Sequence, residues 1–173
     1  MSLARTVIAA GPDEVAGIRW ESPQAQVRQT IIARQGITLE VETPTDQTFK
    51  GGTFAGFNVK SWRFTFENDK LSSVKIAFID TGARNEKGWK LDQEFEAIQK
   101  LLERKYGKTR SSQSQVHQAR NWEFSDKLDR RVTKTIELYR CWGNERNGLE
   151  LTYTYIRQAP PKKPLAPAQT KDL

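Results

Sequence analysis

Ile37, Leu39 and Val41 alternate with Thr38, Glu40 and Glu42, and the same two-residue period returns at Trp62, Phe64 and Phe66 and again at Val74, Ile76 and Phe78. Alternation of this kind puts one side of an extended chain in a core and the other in water, so each run predicts a half-buried strand. Asn68-Asp69-Lys70 offers the residues of a tight reversal, which makes 59–78 a hairpin. Further strands are predicted at 121–125 around Trp122 and Phe124, at 133–142 and at 149–157. Asn147-Gly148 suits a turn between the last two, and Leu149, Leu151, Tyr153 and Tyr155 line one face of the final strand.

Two segments change to a helical period. Ser22 can cap and Pro23 can open a helix over 23–35, with Val27, Ile31 and Ile32 at helical spacing and Gly36 as the stop. In the second, Asp92 is the expected cap and Phe95, Ile98, Leu101 and Leu102 form the stripe; Lys and Arg fill the last turn and Gly107 ends it. Residues 43–52 (TPTDQTFKGG) and 80–90 lack either period and read as loops, while 108–120 reads as a long loop or an edge strand. From Ala159 the chain reads APPKKPLAPAQTKDL, too poor in apolar groups to offset the entropy of ordering it.

The order of elements predicts an α+β fold, an antiparallel sheet with two helices on one face. The helix ends align as VRQTIIARQG (27–36) with IQKLLERKYG (98–107), and each is followed by Trp-x-Phe, at Trp62-Arg63-Phe64 and Trp122-Glu123-Phe124, which suggests a tandem α-β-β-β pseudo-repeat. The expected organisation is a flexible segment over 1–17, a single domain over 18–157 and a disordered Pro/Lys-rich tail over 158–173. Its core should hold Trp62, Phe64, Val74, Ile76, Phe95, Ile98, Leu102, Trp122, Ile136, Leu138, Leu151 and Tyr153. Over residues 18–157 this order of elements resembles the fold group of the β-lactamase inhibitory protein and the small outer-membrane lipoprotein A. That resemblance implies a non-catalytic binding domain, envelope-associated or secreted, and it carries over no site residue.

Composition narrows the chemistry. The chain has 173 residues with one cysteine and one histidine, which rules out an internal disulfide and a cysteine-rich metal site. No apolar run approaches the ~20 residues that span a bilayer. Residues 3–10 are too short and too interrupted by Arg5 for a full secretory core, although Ala9 and Ala10 would suit the end of one. The envelope association that the resemblance implies favours a bacterial periplasmic or secreted location over the cytoplasm.

His117 stands without a second ligand at motif spacing and reads as an exposed loop histidine, and Cys141 as a structural strand residue. The pairs Asp126/Asp129 and Glu94/Glu96 have spacings that any charged surface yields. The run Gly51-Gly52-Thr53-Phe54-Ala55-Gly56 lacks the Lys-Ser/Thr ending of a phosphate loop, so it is expected to turn tightly or pack beneath an aromatic ring.

Charge offers one candidate surface. Lys and Arg outnumber Asp and Glu by 28 to 21, a formal +7. Many of the basic residues fall within one region: Lys100, Arg104, Lys105, Lys108, Arg110, Arg120, Lys127, Arg130, Arg131 and Lys134, near Tyr106 and Trp122. Cations beside aromatics suit nucleic acid or another polyanion, since phosphates meet the charges while bases stack on rings. The favoured reading is a non-catalytic domain acting through protein contacts, without a cofactor. Polyanion binding through 100–134 is the alternative, and an enzyme using Asp, Glu, Lys or Tyr without a motif is the third.

Overall fold

The computed structural model describes residues 11–80, 84–85, 88–113, 117–126, 129–141 and 148–159. Two short strands, β1 (Glu14–Val15) and β2 (Ile18–Arg19), make a hairpin ahead of helix α1 (Gln24–Ile32). There follow β3 (Ile37–Glu42), β4 (Asp46–Gly51), β5 (Thr53–Phe54), β6 (Phe57–Glu67) and β7 (Lys70–Phe78). A second short pair, β8 (Arg84–Asn85) and β9 (Gly88–Trp89), leads into α2 (Lys90–Tyr106). The last strands are β10 (Arg110–Gln113), β11 (His117–Ser125), β12 (Val132–Cys141) and β13 (Gly148–Arg157).

The main sheet is antiparallel throughout and runs β10-β11-β12-β13-β7-β6-β4-β3, with β5 paired to β6. Each half is therefore a helix followed by strands laid from the outside inwards, and the last strands of the halves meet at the centre, with Val74 of β7 opposite Tyr153 of β13. This is the α+β arrangement that the pattern predicted, but each unit places four strands in the main sheet, where three were expected. The additional strand of the first unit is β4, in the segment read as a loop. Its inward residues are Gln47 and Phe49, both fully buried, and one apolar residue among polar ones leaves no readable alternation.

Helix ends correspond between the units as the alignment suggested, because Gly36 and Gly107 take φ of 75° and 86° between each helix and its outer strand, directly before β3 in the first unit and three residues before β10 in the second. The Trp-x-Phe pairs do not. Trp62 lies on the third main-sheet strand of its unit and Trp122 on the second of its own, so their likeness is one of strand composition.

Both helices pack on one face. Val27 and Ile31 from α1, and Leu91, Phe95, Ile98, Leu102 and Tyr106 from α2, share one buried cluster with the inward residues of the sheet. All twelve expected core residues are buried. Leu101, placed on the same helical stripe, instead projects outwards and is 39% exposed. The run Gly51-Gly52 sits beneath Trp62, whose indole N–H donates to the Gly51 carbonyl at 2.9 Å. A Cβ on Gly51, at φ 85°, would lie 2.2 Å from the Gly36 carbonyl oxygen, so this approach of two backbones needs glycine.

Several local expectations change. Ser22 does not cap α1; Pro23 occupies that position, and the Gln24 N–H is met from a distance by Asp69 Oδ1 at 3.1 Å, in the β6–β7 turn. The helix ends at Ile32, short of 35. The second helix begins at Lys90, and Asp92 lies in its first turn, ion-paired with the buried Arg140 of β12.

Residues 11–17, expected to be flexible, belong to the packed domain. Val15 and Ile18 are buried in the core, the Trp20 indole donates to the Pro12 carbonyl at 2.7 Å, and Asp13 pairs with Lys134 at 2.8 Å. The expectations for residues 1–10, Trp142, Asn147 and the tail from 160 fall outside the described residues.

Candidate functional site

Side chains alternate across a strand, so the face turned away from the helices is built from the residues between the buried ones. Register joins them into rows. One row crosses six strands as Asp46, Thr65, Ser73, Thr154, Thr135 and Glu123. The next runs Thr48, Arg63, Lys75, Thr152, Glu137 and Asn121, and beyond it come Lys50, Ser61, Ala77, Glu150 and Tyr139. These side chains are half-buried or exposed, as an uncovered sheet face of short hydroxyl groups requires.

Three ion pairs brace this face. Arg63 Nε lies 2.9 Å from Asp46 Oδ1, Lys75 Nζ 3.1 Å from Glu150 Oε2 and Lys50 Nζ 3.8 Å from Glu40 Oε1. The hydrogen bond from Arg63 holds the Asp46 carboxyl below the usual carboxylate range against the opposing effect of burial, with lesser help from Thr45 and Thr65. Glu123 and Glu137 are exposed and pair with no cation among the described residues.

Neither edge of the sheet invites another strand. In β3 the register shifts between Leu39 and Val41, and Glu40 and Glu42 stand on the edge; β10 is four residues of polar sequence. Bulges, charges and short length are the usual protections against edge pairing.

At one corner of the open face His117 lies opposite Cys141. His117 is a strand residue rather than a loop one, and its ring stacks on Tyr139 with centroids 5.9 Å apart. Cys141 is half-buried, with its sulfur 3.8 Å from the Gly148 carbonyl oxygen. Among the described residues no group of three or more His, Cys, Asp or Glu could hold a metal ion.

The basic residues of 100–134 are distributed over several places. Lys100, Arg104 and Lys105 lie on the exposed side of α2, Lys108 in the link to β10 and Arg130 in the β11–β12 turn. Lys100 faces Glu96 at 4.0 Å, Arg104 Nε donates to the Lys100 carbonyl at 3.3 Å and Lys105 lies 5.2 Å from the Tyr106 ring centre. Arg120 is half-buried between α2 and β11. Arg131 is chelated by Asp129, which raises the arginine's pKa and lowers that of the carboxyl.

Lys134 points to the helix side, where its 10% exposed side chain meets Asp13 and Asp126. Register pairs Arg110 with Asn121, and Lys127 lies outside the described residues. The structure thus brings α2's three cations together and separates Lys134 and Arg131 from them.

Sequence reasoning missed the open face because its threonines and serines occupy the unremarked half of each alternation. The signal was present in Thr133 and Thr135 of β12 and Thr152 and Thr154 of β13, each pair spaced by two residues. No protein-family model, curated protein or solved structure matches this chain.

Proposed function

We propose that this chain is a non-catalytic binding domain that acts through protein contacts, with the open face of the sheet as its contact surface. The row Asp46-Thr65-Ser73-Thr154-Thr135-Glu123 carries the reading: it is a continuous band of short polar groups on a backbone fixed by its own hydrogen bonds. Strands ~4.8 Å apart and ~3.3 Å long per residue make a face of about 30 Å on a side, enough for the ~800 Å² that one partner gives to a standard interface. Rigid hydroxyl-rich surfaces lose little side-chain entropy on contact, and the exposed Glu123 and Glu137 favour cationic groups in the partner. The blunted edges favour docking on the face over addition of a strand.

A second reading rests on Arg104, Lys105 and Lys108, exposed near the end of α2 and in no ion pair among the described residues. It assigns that side to a polyanion. Lysine cross-linking of the full chain to a co-purified partner separates the two. Links from Lys50 and Lys75 support the open face, and links confined to Lys100, Lys105 and Lys108 sink it. The second reading requires a DNA or RNA gel shift that weakens steeply with salt.

A further inference from the structure

A groove runs beside each helix, and the alignment of the helix ends places Arg28 of α1 and Gln99 of α2 at corresponding positions. In the first groove Arg28 Nη1 lies 3.1 Å from Glu42 Oε2 and Gln47 Nε2 lies 2.7 Å from Glu42 Oε1, so helix cation and strand carboxylate neutralise each other. In the second groove, of about 370 Å³, the strand contributes the cation and the helix a neutral amide. Arg120 Nε donates to Gln99 Oε1 at 3.0 Å, its Nη1 donates to the Ala119 carbonyl at 3.0 Å, and its Cζ lies 5.4 Å from the centre of the buried Phe95 ring. The other end of the same amide, Gln99 Nε2, donates to Glu103 Oε1 at 2.9 Å. A guanidinium and a carboxylate are thus held one amide apart, and neither is ion-paired among the described residues.

We propose that the α2 groove binds a zwitterion, its carboxylate on Arg120 and its ammonium on Glu103. Two hydrogen bonds and the Phe95 ring fix the guanidinium, so an arriving carboxylate meets a charged donor already oriented. A phosphate fits poorly, since Glu96 and Glu103 line the same groove and Lys100 is turned to Glu96. A plain cation meets Arg120. A ligand carrying both charges satisfies both ends, and two sources share that chemistry: a free amino acid and the C-terminal lysine of a peptide. This site lies on the helix side and is independent of the open-face reading.

The test is a titration of the full chain followed by NMR of the Arg120 Nε–H and Gln99 side-chain amide signals. The probes are alanine, Nα-acetyl-lysine, and the half-ligands acetate and Nα-acetyl-lysine amide. Saturable shifts with at least one zwitterion, and binding at least about tenfold weaker for both half-ligands, are expected. Tighter binding of alanine identifies a free amino acid as the source, and tighter binding of Nα-acetyl-lysine a peptide end. Arg120→Gln, and separately the surface change Glu103→Gln, should each weaken the zwitterion at least about tenfold while the remaining amide spectrum stays dispersed. A half-ligand that binds as well as its zwitterion, unchanged binding by Glu103→Gln, or shifts that never saturate would overturn the proposal.

Discussion

The helix of the first unit spans nine residues and buries Val27 and Ile31, whereas that of the second spans 17 and buries Leu91, Phe95, Ile98, Leu102 and Tyr106. The sheets beneath them compensate. Under α1 the inward residues are large rings, Phe49, Trp62, Phe64 and Phe66, with Phe49 edge-on to Phe64 at 5.7 Å. Under α2 the inner strands of that unit, β12 and β13, offer mainly aliphatic Ile136, Leu138, Leu149 and Leu151. One topology is filled in two ways, because packing constrains the volume between layers and leaves open which layer supplies it.

Truncations on opposite sides of that comparison give the largest expected effects. Trp62→Ala should cost about 3–5 kcal/mol and Leu102→Ala about 2–5 kcal/mol, the ranges for large residues emptied from a core. Both should lower a single cooperative transition in chemical denaturation, since β7 pairs with β13 and one cluster spans the units. Two separate transitions would break the idea of a shared core. Leu101→Ala, one position from Leu102 but exposed, should stay within about 0.5 kcal/mol and so fixes the phase of α2.

The same contrast explains what could be read beforehand. Strong alternation at Trp62, Phe64, Val74, Ile76, Leu151 and Tyr153, and the stripe of α2, carried the helices, the central strands and the core. β4 was illegible because Gln47 fills an inward seat, and the start of β11 because Gln118 and Arg120 face the α2 groove. The candidate surfaces were harder still: a polar face is defined by which strands lie side by side, and the pairing of β7 with β13 joins residues some eighty positions apart, as in the 3.1 Å bond from Ser73 Oγ to the Tyr153 carbonyl. Nearness in sequence likewise suggested one basic surface over 100–134, whereas the alternation of β12 sends Lys134 to the buried side.

Capping offers an intermediate effect. The shorter α1 has neither an acidic residue in its first turn nor a cap of its own, and depends on Asp69 from another turn. Asp69 has φ 59°, a conformation in which glycine is at ease, so Asp69→Gly removes the acceptor without straining the backbone. A loss of about 1 kcal/mol in denaturation is expected, the usual worth of a cap. An unchanged midpoint would mean that the lost cap is offset by the strain glycine relieves at φ 59°.

The smallest effect concerns two carboxylates, one in each unit. Both Asp46 and Asp129 have pKa values lowered mainly by a hydrogen bond to an arginine, Arg63 and Arg131 respectively. A carboxyl that binds its proton less tightly in the folded state contributes stability above its unfolded pKa and loses it as pH falls through the folded value, from about pH 4 downwards. Only the difference between the two states counts. Asp46 and Arg63 are 17 residues apart and meet because β4 pairs with β6, whereas Asp129 and Arg131 are two apart and can meet in the unfolded chain as well. Asp46→Asn should therefore flatten the acid limb of a stability-against-pH curve more than Asp129→Asn does. At neutral pH its loss should stay below about 1 kcal/mol because the Arg63 side chain is largely exposed. Urea denaturation at intervals between pH 7 and about pH 2 measures both. Arg157 Nε also lies 3.9 Å from Asp129 Oδ2 in the fold. If Asp129→Asn flattens the limb as much as Asp46→Asn, either the Arg131 pair is absent from the unfolded chain or Arg157 supplies the fold's share, and Arg157→Gln separates the two.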